Sequence, residues 1–282
     1  MREIDVNKIT ENIKEMCIEV NHFLSEDMSK ALLEAAVKES SKRGKEVLEI
    51  LCENLKTAGE EMIPICQDTG MAVVFLDIGQ DVHIVGGDLT EAVNAGVRRG
   101  YEEGYLRKSV VSDPVIRNNT GDNTPAVIHT EIVPGDKINI TVAPKGFGSE
   151  NMSRIYMLKP ADGIEGIREA VLKTVKEAGP NACPPFVVGV GIGGDFEECA
   201  ILAKKALLRN IGEKKSDRPE HIRSLETELL EEINKTGIGP AGLGGDITAL
   251  GVNIEVFPTH IAGLPVAVSI CCHVNRHVSR EI

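Results

Sequence analysis

The chain has 282 residues, of which 42% are hydrophobic and 26% are charged, and its formal net charge is −12 at pH 7. This composition is typical of a globular protein and excludes general disorder, and no apolar run reaches the roughly 18 residues of a membrane span. The chain has no basic block and only 3% aromatic residues. It therefore has little with which to neutralise phosphates or stack on bases, so we do not expect a nucleic acid partner.

The N-terminal segment, MREIDVNKITENIKEM, is amphipathic and has no apolar centre of the kind found in signal peptides. We therefore expect a cytoplasmic protein. The chain has seven cysteines. An odd number in such a chain favours reduced thiols or metal ligation over a disulfide framework.

Helical periodicity comes first along the chain. Apolar residues recur every three or four positions from residue 6 to about 59, which predicts N-terminal helices over about residues 1–60. The β-branched runs MAVVFLDIG and DVHIVG then predict strands, and residues 89–105 return to helical spacing. The segment HTEIVPGDKINITVAP predicts a β-hairpin, because two alternating stretches flank a Pro-Gly-Asp turn.

The second half of the chain has the same mixture. PFVVGVGIGG predicts a buried strand followed by a helix over 195–209, and helical spacing recurs over 164–178 and 218–235. GEKKSDRPEH (212–221) predicts a polar surface loop, and the strand-like closing segment is broken by Pro258 and Pro265. The pattern predicts an α/β fold, with mixed α+β as the alternative. We expect N-terminal helices, then helices packed on mixed β-sheets, in a single compact domain over residues 1–282.

Three cysteines, Cys66, Cys183 and Cys272, lie in loop-like contexts punctuated by glycine or proline, whereas three others fall on helical stripes. Their separations are too long for a zinc ribbon or a ferredoxin-type run. Folding could gather them around one metal centre, and three thiolates would leave one iron of a cubane cluster open to substrate. Spacing alone favours the alternative, since cysteine often packs as a small buried hydrophobe.

The hexapeptide ICQDTG places a thiol and a carboxylate side by side, since Asp68 follows Cys66 by two positions. Its Thr-Gly step can form a turn whose backbone approaches a ligand closely, or an ordinary turn between a helix and a strand. The loops around NTGDNTPAVIHTEIVPGD and APKGFGSENMSR add glycines, Lys145 and Arg154. These could present amides and cations to an anion, or could be surface turns and charges.

The C-terminal region adds candidates around Cys272. His260 precedes Cys272 by twelve residues, so its imidazole could approach the same metal or be a structural residue. His273, Arg276 and His277 follow Cys272 directly. They could be donors behind the metal ligands or a cationic tail.

Taken together, these segments resemble the α subunit of the class I, iron–sulfur-dependent fumarate hydratase family in its two-subunit form. They are also similar to the α subunit of L-tartrate dehydratase. The resemblance covers almost the whole chain. It is carried, in this order, by ICQDTG, by NTGDNTPAVIHTEIVPGD to GFGSENMSRIYMLKPADG, by NACPPFVVGVGIGGDFEECAILAKKALLR, by GLGGDITALGVNIE and by FPTHIAGLPVAVSICCHVNRH.

The resemblance implies that Cys66, Cys183 and Cys272 hold a 4Fe-4S cluster. Cys272 is preferred to Cys271 because it precedes a His-x-x-Arg sequence, as the family's cysteine does. The same match implies that Asp68 and His260 are catalytic residues. It also implies that Gln67 and Arg107 bind the substrate.

The activity implied by the resemblance is the reversible hydration of fumarate to malate, with the open iron as a Lewis acid. L-tartrate dehydratase and methylfumarate hydratase are the alternatives within the family. The resemblance also implies a separate β subunit that carries the catalytic base, so the chain should be active only with that subunit. We expect a heterotetramer of two α and two β subunits or an α homodimer, a small dicarboxylate as substrate, and no membrane partner.

Two interpretations from other classes stay open. One is a non-catalytic scaffold subunit that binds zinc in the three-thiolate site. The other is a nucleotide-dependent oxidoreductase that uses glycine-rich turns such as VGVGIGGD, although these glycines do not match the dinucleotide-binding spacing. A second segment of the form G-x-G-G-D, GLGGD, echoes the first.

Overall fold

The computed structural model describes residues 1–212 and 218–282. These residues form two compact units. Unit 1 consists of Met1–Ser25, Leu55–Phe147 and Arg276–Ile282, and unit 2 of Glu26–Asn54 and Gly148–Asn275. The expectation of a single domain over the whole chain is not tested by this division and stays a prediction. Residues 213–217 of the loop predicted at 212–221 lie outside the described residues.

Helices and strands are mixed along the chain, which confirms the predicted α/β class with mixed sheets. In chain order the helices are α1 (Val6–His22), α2 (Glu26–Lys38), α3 (Lys42–Glu61), α4 (Leu89–Glu103), α5 (Phe147–Glu150), α6 (Gly163–Ala178), α7 (Glu198–Ala206) and α8 (Glu220–Asn234). The strands are β1 (Arg2–Asp5), β2 (Met71–Gly79), β3 (Val82–Val85), β4 (Val127–Val133), β5 (Ile138–Lys145), β6 (Arg154–Leu158), β7 (Phe186–Gly194), β8 (Ala249–Thr259), β9 (Leu264–Cys271) and β10 (Val278–Glu281). Within the described ranges, no helix has both the length and the apolar character needed to cross a membrane.

Unit 1 contains a four-stranded sheet of order β10-β5-β2-β4 and a parallel pair, β1-β3. Strand β2 is buried along most of its length, as its nearly continuous apolar sequence leads one to expect. Helices α1 and α4 bury their apolar stripes in the same core, through residues such as Ile9, Ile13, Val93 and Tyr101. The apolar periodicity of the two helices therefore predicts their buried faces correctly.

The predicted hairpin between β4 and β5 is wrong. Strand β2 lies between them, parallel to β4 and antiparallel to β5. The Pro-Gly-Asp turn is bonded to the end of β2: Gly79 N–H donates to the Lys137 carbonyl at 2.8 Å, and Asp81 N–H donates to the Gly135 carbonyl at 2.9 Å. A strand that is apolar on both faces is best buried with a neighbour on each side, and this long-range pairing overrides the local turn signal.

Unit 2 contains the second four-stranded sheet, of order β6-β9-β7-β8. Interior strand β7 alternates Val or Ile with Gly, and its branched residues pack in a core shared with α6 and α8. On the other face, a Cβ at Gly191 would lie 2.0 Å from the carbonyl oxygen of Cys199 in α7. The glycines of VGVGIGGD therefore allow a helix to pack closely on the sheet.

The two prolines of the closing segment lie inside strands. Pro258 is in β8, which is an edge strand, and Pro265 is the second residue of β9. An edge strand tolerates a residue without an N–H, and so does the start of β9, where Pro265 is paired with β6 alone because the pairing with β7 ends at Val266. The predicted helix at 195–209 begins only at Glu198, because the Asp195 carboxylate accepts the N–H groups of Glu197 and Glu198 at 3.2 and 2.9 Å and so ends the extended segment.

Candidate functional site

In unit 1, ICQDTG forms the connection between α3 and β2. Gly70 has a φ of +79°, and a Cβ there would lie 2.8 Å from the backbone nitrogen of Lys145, so glycine is required. The Asp68 carboxylate accepts Gly70 N–H at 3.1 Å and Phe147 N–H at 3.0 Å. Asp68 thereby ties the turn to the segment that follows β5.

Two more of the predicted site residues join this turn. The Cys66 thiol donates to Gln67 Oε1 at 3.2 Å, and the Cys66 side chain is half-buried. The Thr69 hydroxyl oxygen accepts Arg107 N–H at 2.9 Å and lies 3.1 Å from the Arg107 carbonyl, to which it donates. Unit 1 therefore brings Cys66, Gln67, Asp68 and the backbone of Arg107 together.

Two buried side chains that sequence reasoning missed hold the same turn. Tyr101 donates its O–H to the carbonyl oxygens of Thr69 and Gly70, at 2.8 and 2.9 Å. Burial raises the pKa of this phenol, so it stays protonated and remains a donor. Asn123 donates to the Gly70 carbonyl at 3.2 Å and accepts Ser109 N–H at 2.7 Å. A tyrosine on a helix and an asparagine in a polar loop have no distinctive sequence signal.

Arg276 also lies against this turn and is only 4% exposed. Its Nη2 donates to the Asp68 carbonyl at 2.6 Å. Its Nε and Nη1 are buried and have no hydrogen-bond partner among the described residues. The burial of Arg276 excludes a solvated cationic tail at this position and favours a donor within the site.

In unit 2, Cys183 and Cys272 lie at adjoining strand ends, because antiparallel β7 and β9 pair Val187 with Cys271. The backbone N–H of His273 lies 3.4 Å from the Cys183 carbonyl oxygen, to which it donates, and His273 Nδ1 lies 3.1 Å from the same oxygen. Burial lowers the pKa of His273, which favours the neutral ring. Unit 2 thus brings two of the three predicted thiol ligands to neighbouring positions.

Cys183 has a backbone conformation that few non-glycine residues adopt. Its φ of 53° and ψ of 66° place it in the left-handed region. The residue caps a short 3-10 turn over Gly179–Ala182, and its side chain is exposed. Backbone outliers of this kind concentrate at functional sites, so the conformation is consistent with a role for this thiol.

His260 lies far along the sheet from Cys272. It is exposed in the turn between β8 and β9, where its Nδ1 accepts Ala262 N–H at 3.2 Å. Strand β9 has eight residues and therefore separates this turn from Cys272 by about 26 Å. The structure does not bring His260 to Cys272 within unit 2, and its catalytic role stays a prediction.

The three predicted cysteine ligands suit an iron–sulfur cluster by their donor chemistry and their accessibility. Cys66 and Cys272 are half-buried and Cys183 is exposed, whereas burial raises the pKa of Cys17, on α1, to about 12 and disfavours its thiolate. The orphaned donors of Arg276 also suit a nearby anionic group. Within the described ranges, no group of three or more His, Cys, Asp or Glu side chains is placed to hold a metal ion, and the three cysteines are divided between the units.

The second glycine-rich segment, GLGGD, holds a carboxylate of the chain itself. Glu39 is 4% exposed, and its two oxygens accept Asp246 N–H at 3.0 and 2.9 Å, Ile247 N–H at 2.9 Å and Ser41 N–H at 2.8 Å. Successive backbone N–H groups of this kind can bind phosphate, but here Glu39 occupies them. Both glycine-rich segments serve internal packing, so neither supports the nucleotide-dependent alternative.

Comparison with known proteins agrees with the motif-based resemblance. The model of the family described as fumarate hydratase (Fumerase) matches residues 10–281. A Methanocaldococcus jannaschii protein provisionally named L(+)-tartrate dehydratase subunit alpha is 46% identical over 283 residues, which cover 98% of each chain. The L(+)-tartrate dehydratase subunit alpha of Escherichia coli (strain K12) is 32% identical over 274 residues, which cover 96% of this chain and 89% of the relative. The chain therefore belongs to the fumarate hydratase (Fumerase) family.

Proposed function

We propose that this chain is the α subunit of a fumarate hydratase, which adds water reversibly to fumarate to form malate. The observation that supports it most is the turn of unit 1, where a thiol, an amide and a carboxylate lie beside the guanidinium of Arg276 and the backbones of two further basic residues, Arg107 and Lys145. The chain as a whole carries a charge of −12. A local excess of cations is what a dicarboxylate substrate needs in such a protein.

Family membership supports Cys66, Cys183 and Cys272 as the ligands of a 4Fe-4S cluster. When bound through three protein thiolates, such a cluster supplies an open iron that acts as a Lewis acid. The protein residues would orient the substrate. Arg107 is suited to clamp one carboxylate, because a guanidinium can donate to both of its oxygens, and the Gln67 amide can donate to a neighbouring oxygen.

We propose that the Asp68 carboxylate exchanges a proton with the oxygen that becomes the substrate hydroxyl. Two backbone N–H groups, of Gly70 and Phe147, each bind one of its oxygens and so fix the direction of the carboxylate. In hydration, the remaining lone pairs of Asp68 can accept a proton from the attacking water, and in dehydration the protonated carboxyl can return that proton to the leaving hydroxyl. The reaction also needs a base for the proton on the carbon next to a carboxylate. We propose that a β subunit supplies this base, a partner that the relatives' designation "subunit alpha" supports.

Dehydration of L(+)-tartrate is the second candidate function. It is favoured by the relatives, both of which bear the name of an L(+)-tartrate dehydratase subunit. Tartrate carries a second hydroxyl group, so the two candidates differ in whether the pocket must satisfy one more donor and acceptor. A pocket built to bind that group would reject malate strongly, because its polar partners would be left unsatisfied.

The test is a set of assays on the chain produced anaerobically, alone and with its β subunit, using fumarate, L-malate and L(+)-tartrate in turn. We expect activity only in the mixture, with the highest kcat/KM for fumarate or malate, and loss of activity in Cys66→Ser, Cys183→Ser and Cys272→Ser. Cys52→Ser, at a half-buried cysteine of α3, is the matched control and should remain active. Full activity in any of the three serine variants, or zinc in place of iron, would contradict the proposal.

A further inference from the structure

Arg276 is a buried cation whose charge is not balanced by any acidic group that the structure shows bonded to it. One nitrogen, Nη2, binds the Asp68 carbonyl at 2.6 Å. The other two, Nε and Nη1, are buried and find no acceptor in the described part of the chain. A carbonyl oxygen carries no net charge, so this bond satisfies one N–H without forming an ion pair.

Such an arrangement is unfavourable unless something is bound. Arginine stays protonated in proteins, and a buried charge is costly unless it is paired and hydrogen-bonded. Buried groups left without partners in a native fold therefore call for an explanation, such as an ordered water or a bound ion. For Arg276 the missing acceptor should be an anion.

The burial of the donor atoms indicates what kind of anion this is. A substrate must exchange with solvent in every turnover, whereas a cofactor stays in place. Because Nε and Nη1 are both shielded from solvent, a resident group suits them better than an exchanging one.

The position of Arg276 in the sequence and in unit 1 points to the same group. The carbonyl that Arg276 binds belongs to Asp68, two residues after Cys66, and Arg276 itself follows Cys272 by four residues. Sulfur atoms of a thiolate-ligated cluster accept hydrogen bonds, and these bonds help to set the reduction potential. We propose that Arg276 donates its Nε–H and Nη1–H to sulfur of the iron–sulfur cluster and so retains the cluster. This inference rests on the cluster of the proposed function.

The test compares Arg276→Gln and Arg276→Lys with wild type, each produced anaerobically with the β subunit. We expect a chelator to remove iron about 10- to 100-fold faster from Arg276→Gln, with partial rescue in Arg276→Lys, which keeps the charge. The cluster's reduction potential should become more negative in Arg276→Gln, because a positive donor near sulfur is lost. Arg209→Gln is the control, since Arg209 is 7% exposed but is paired with Glu226; its rate of iron loss should match that of wild type.

A second measurement separates this role from a purely structural one. In the metal-free chain, Arg276→Gln should melt at the same temperature as wild type or higher, because an unneutralised charge has been removed, whereas Arg209→Gln should melt lower. The inference would be overturned if the melting temperature fell equally in both variants, or if Arg276→Gln lost iron at the wild-type rate. So would a variant that keeps its cluster properties and only raises KM, since the donors would then serve the substrate. A wild-type chain that takes up no iron and sulfide would instead remove the proposed cluster, and this inference with it.

Discussion

Two buried arginines of this chain have opposite surroundings. In unit 2, Arg209 Nη1 donates to Glu226 Oε1 at 2.6 Å and to the Ile254 carbonyl at 3.3 Å. Its Nε makes no hydrogen bond in the described ranges but lies 3.7 Å from Glu255 Oε1, within an ion pair. In unit 1, the guanidinium of Arg276 reaches the carbonyl of Asp68, and its remaining nitrogens have no acceptor in the described ranges. The fold itself pairs the first charge with acidic groups, whereas among the described residues the second has no acidic group bonded to it.

The difference teaches that burial of a charge does not by itself identify a functional site. The acceptors around the charge decide the interpretation, because an ion pair enclosed by the fold is complete without a ligand. Glu39 is the corresponding case for a buried negative charge. The backbone N–H groups of a loop that could bind an anion already bind this carboxylate of the chain itself. The comparison therefore predicts different results for substitutions at residues of equal burial.

The largest expected effect is at Arg209. Arg209→Gln should lower the free energy of unfolding by about 3–5 kcal/mol, because the Glu226 carboxylate, whose side chain is only 14% exposed, would be left without its cation. Urea denaturation at pH 7 measures it. The double variant Arg209→Met/Glu226→Leu should recover much of the loss, since neither charge then remains. A loss below about 1 kcal/mol in Arg209→Gln would show that the pair is solvated like a surface ion pair.

Substitution of Glu39 should have the next largest effect. Glu39→Ala leaves the amides of Ser41, Asp246 and Ile247 without their acceptor, so we expect stability to fall by about 2–3 kcal/mol. The control is Glu49→Ala, at an exposed glutamate of α3, which should change stability by less than about 0.5 kcal/mol. Equal denaturation midpoints for the two variants would mean that the loop does not depend on the internal carboxylate.

A smaller effect is expected at Tyr101, which supports the turn beside Arg276. Tyr101→Phe keeps the packing of the ring but removes the O–H that Thr69 and Gly70 accept, and should cost about 1 kcal/mol. Urea denaturation of the metal-free chain measures this change in the free energy of unfolding. The variant should also lose iron faster, since the turn that carries Cys66 is less firmly held. Unchanged stability together with unchanged iron loss would show that the hydroxyl does not position the turn.

The smallest effect concerns a partly exposed ion pair of unit 1, between Arg98 and Asp122. Burial raises the pKa of Asp122, but hydrogen bonds from Arg98 and Thr124 lower it more, to about 2. Because this pKa is depressed below the ordinary value of 3.8, the stabilisation is present above pH 3.8 and is lost as the pH falls towards 2. Since the pair is partly solvated, we expect Asp122→Asn to cost less than about 1 kcal/mol at pH 7.

The measurement for Asp122 is the difference in unfolding free energy between wild type and Asp122→Asn, followed from pH 6 to pH 2. The difference should shrink as the wild-type carboxylate becomes protonated. Asp136→Asn, at an exposed aspartate of the same unit, serves as the reference variant. A difference that grows towards low pH would have the wrong sign for a depressed pKa and would contradict the assignment.

The sequence by itself determined much of the local structure and the family. The helices at residues 6–61, 89–103, 163–178 and 220–234 and the strands β2 and β7 follow from periodicity, which depends on neighbouring residues alone. The motif order around Cys66, Cys183 and Cys272 was specific enough to indicate the family that the comparisons confirm. A family can be indicated in this way because the residue types of a short motif are read directly from the sequence.

Only the tertiary structure decided which distant groups meet. The insertion of β2 between β4 and β5, the support of the ICQDTG turn by Tyr101 and Asn123, and the carboxylate of Glu39 in GLGGD all join segments far apart in sequence. The same holds for the two arginines, since nothing in their local sequences tells that Arg209 meets Glu226 and that Arg276 meets a carbonyl. Whether a buried charge is neutralised depends on acceptors brought to it by folding, and a linear pattern does not contain that information.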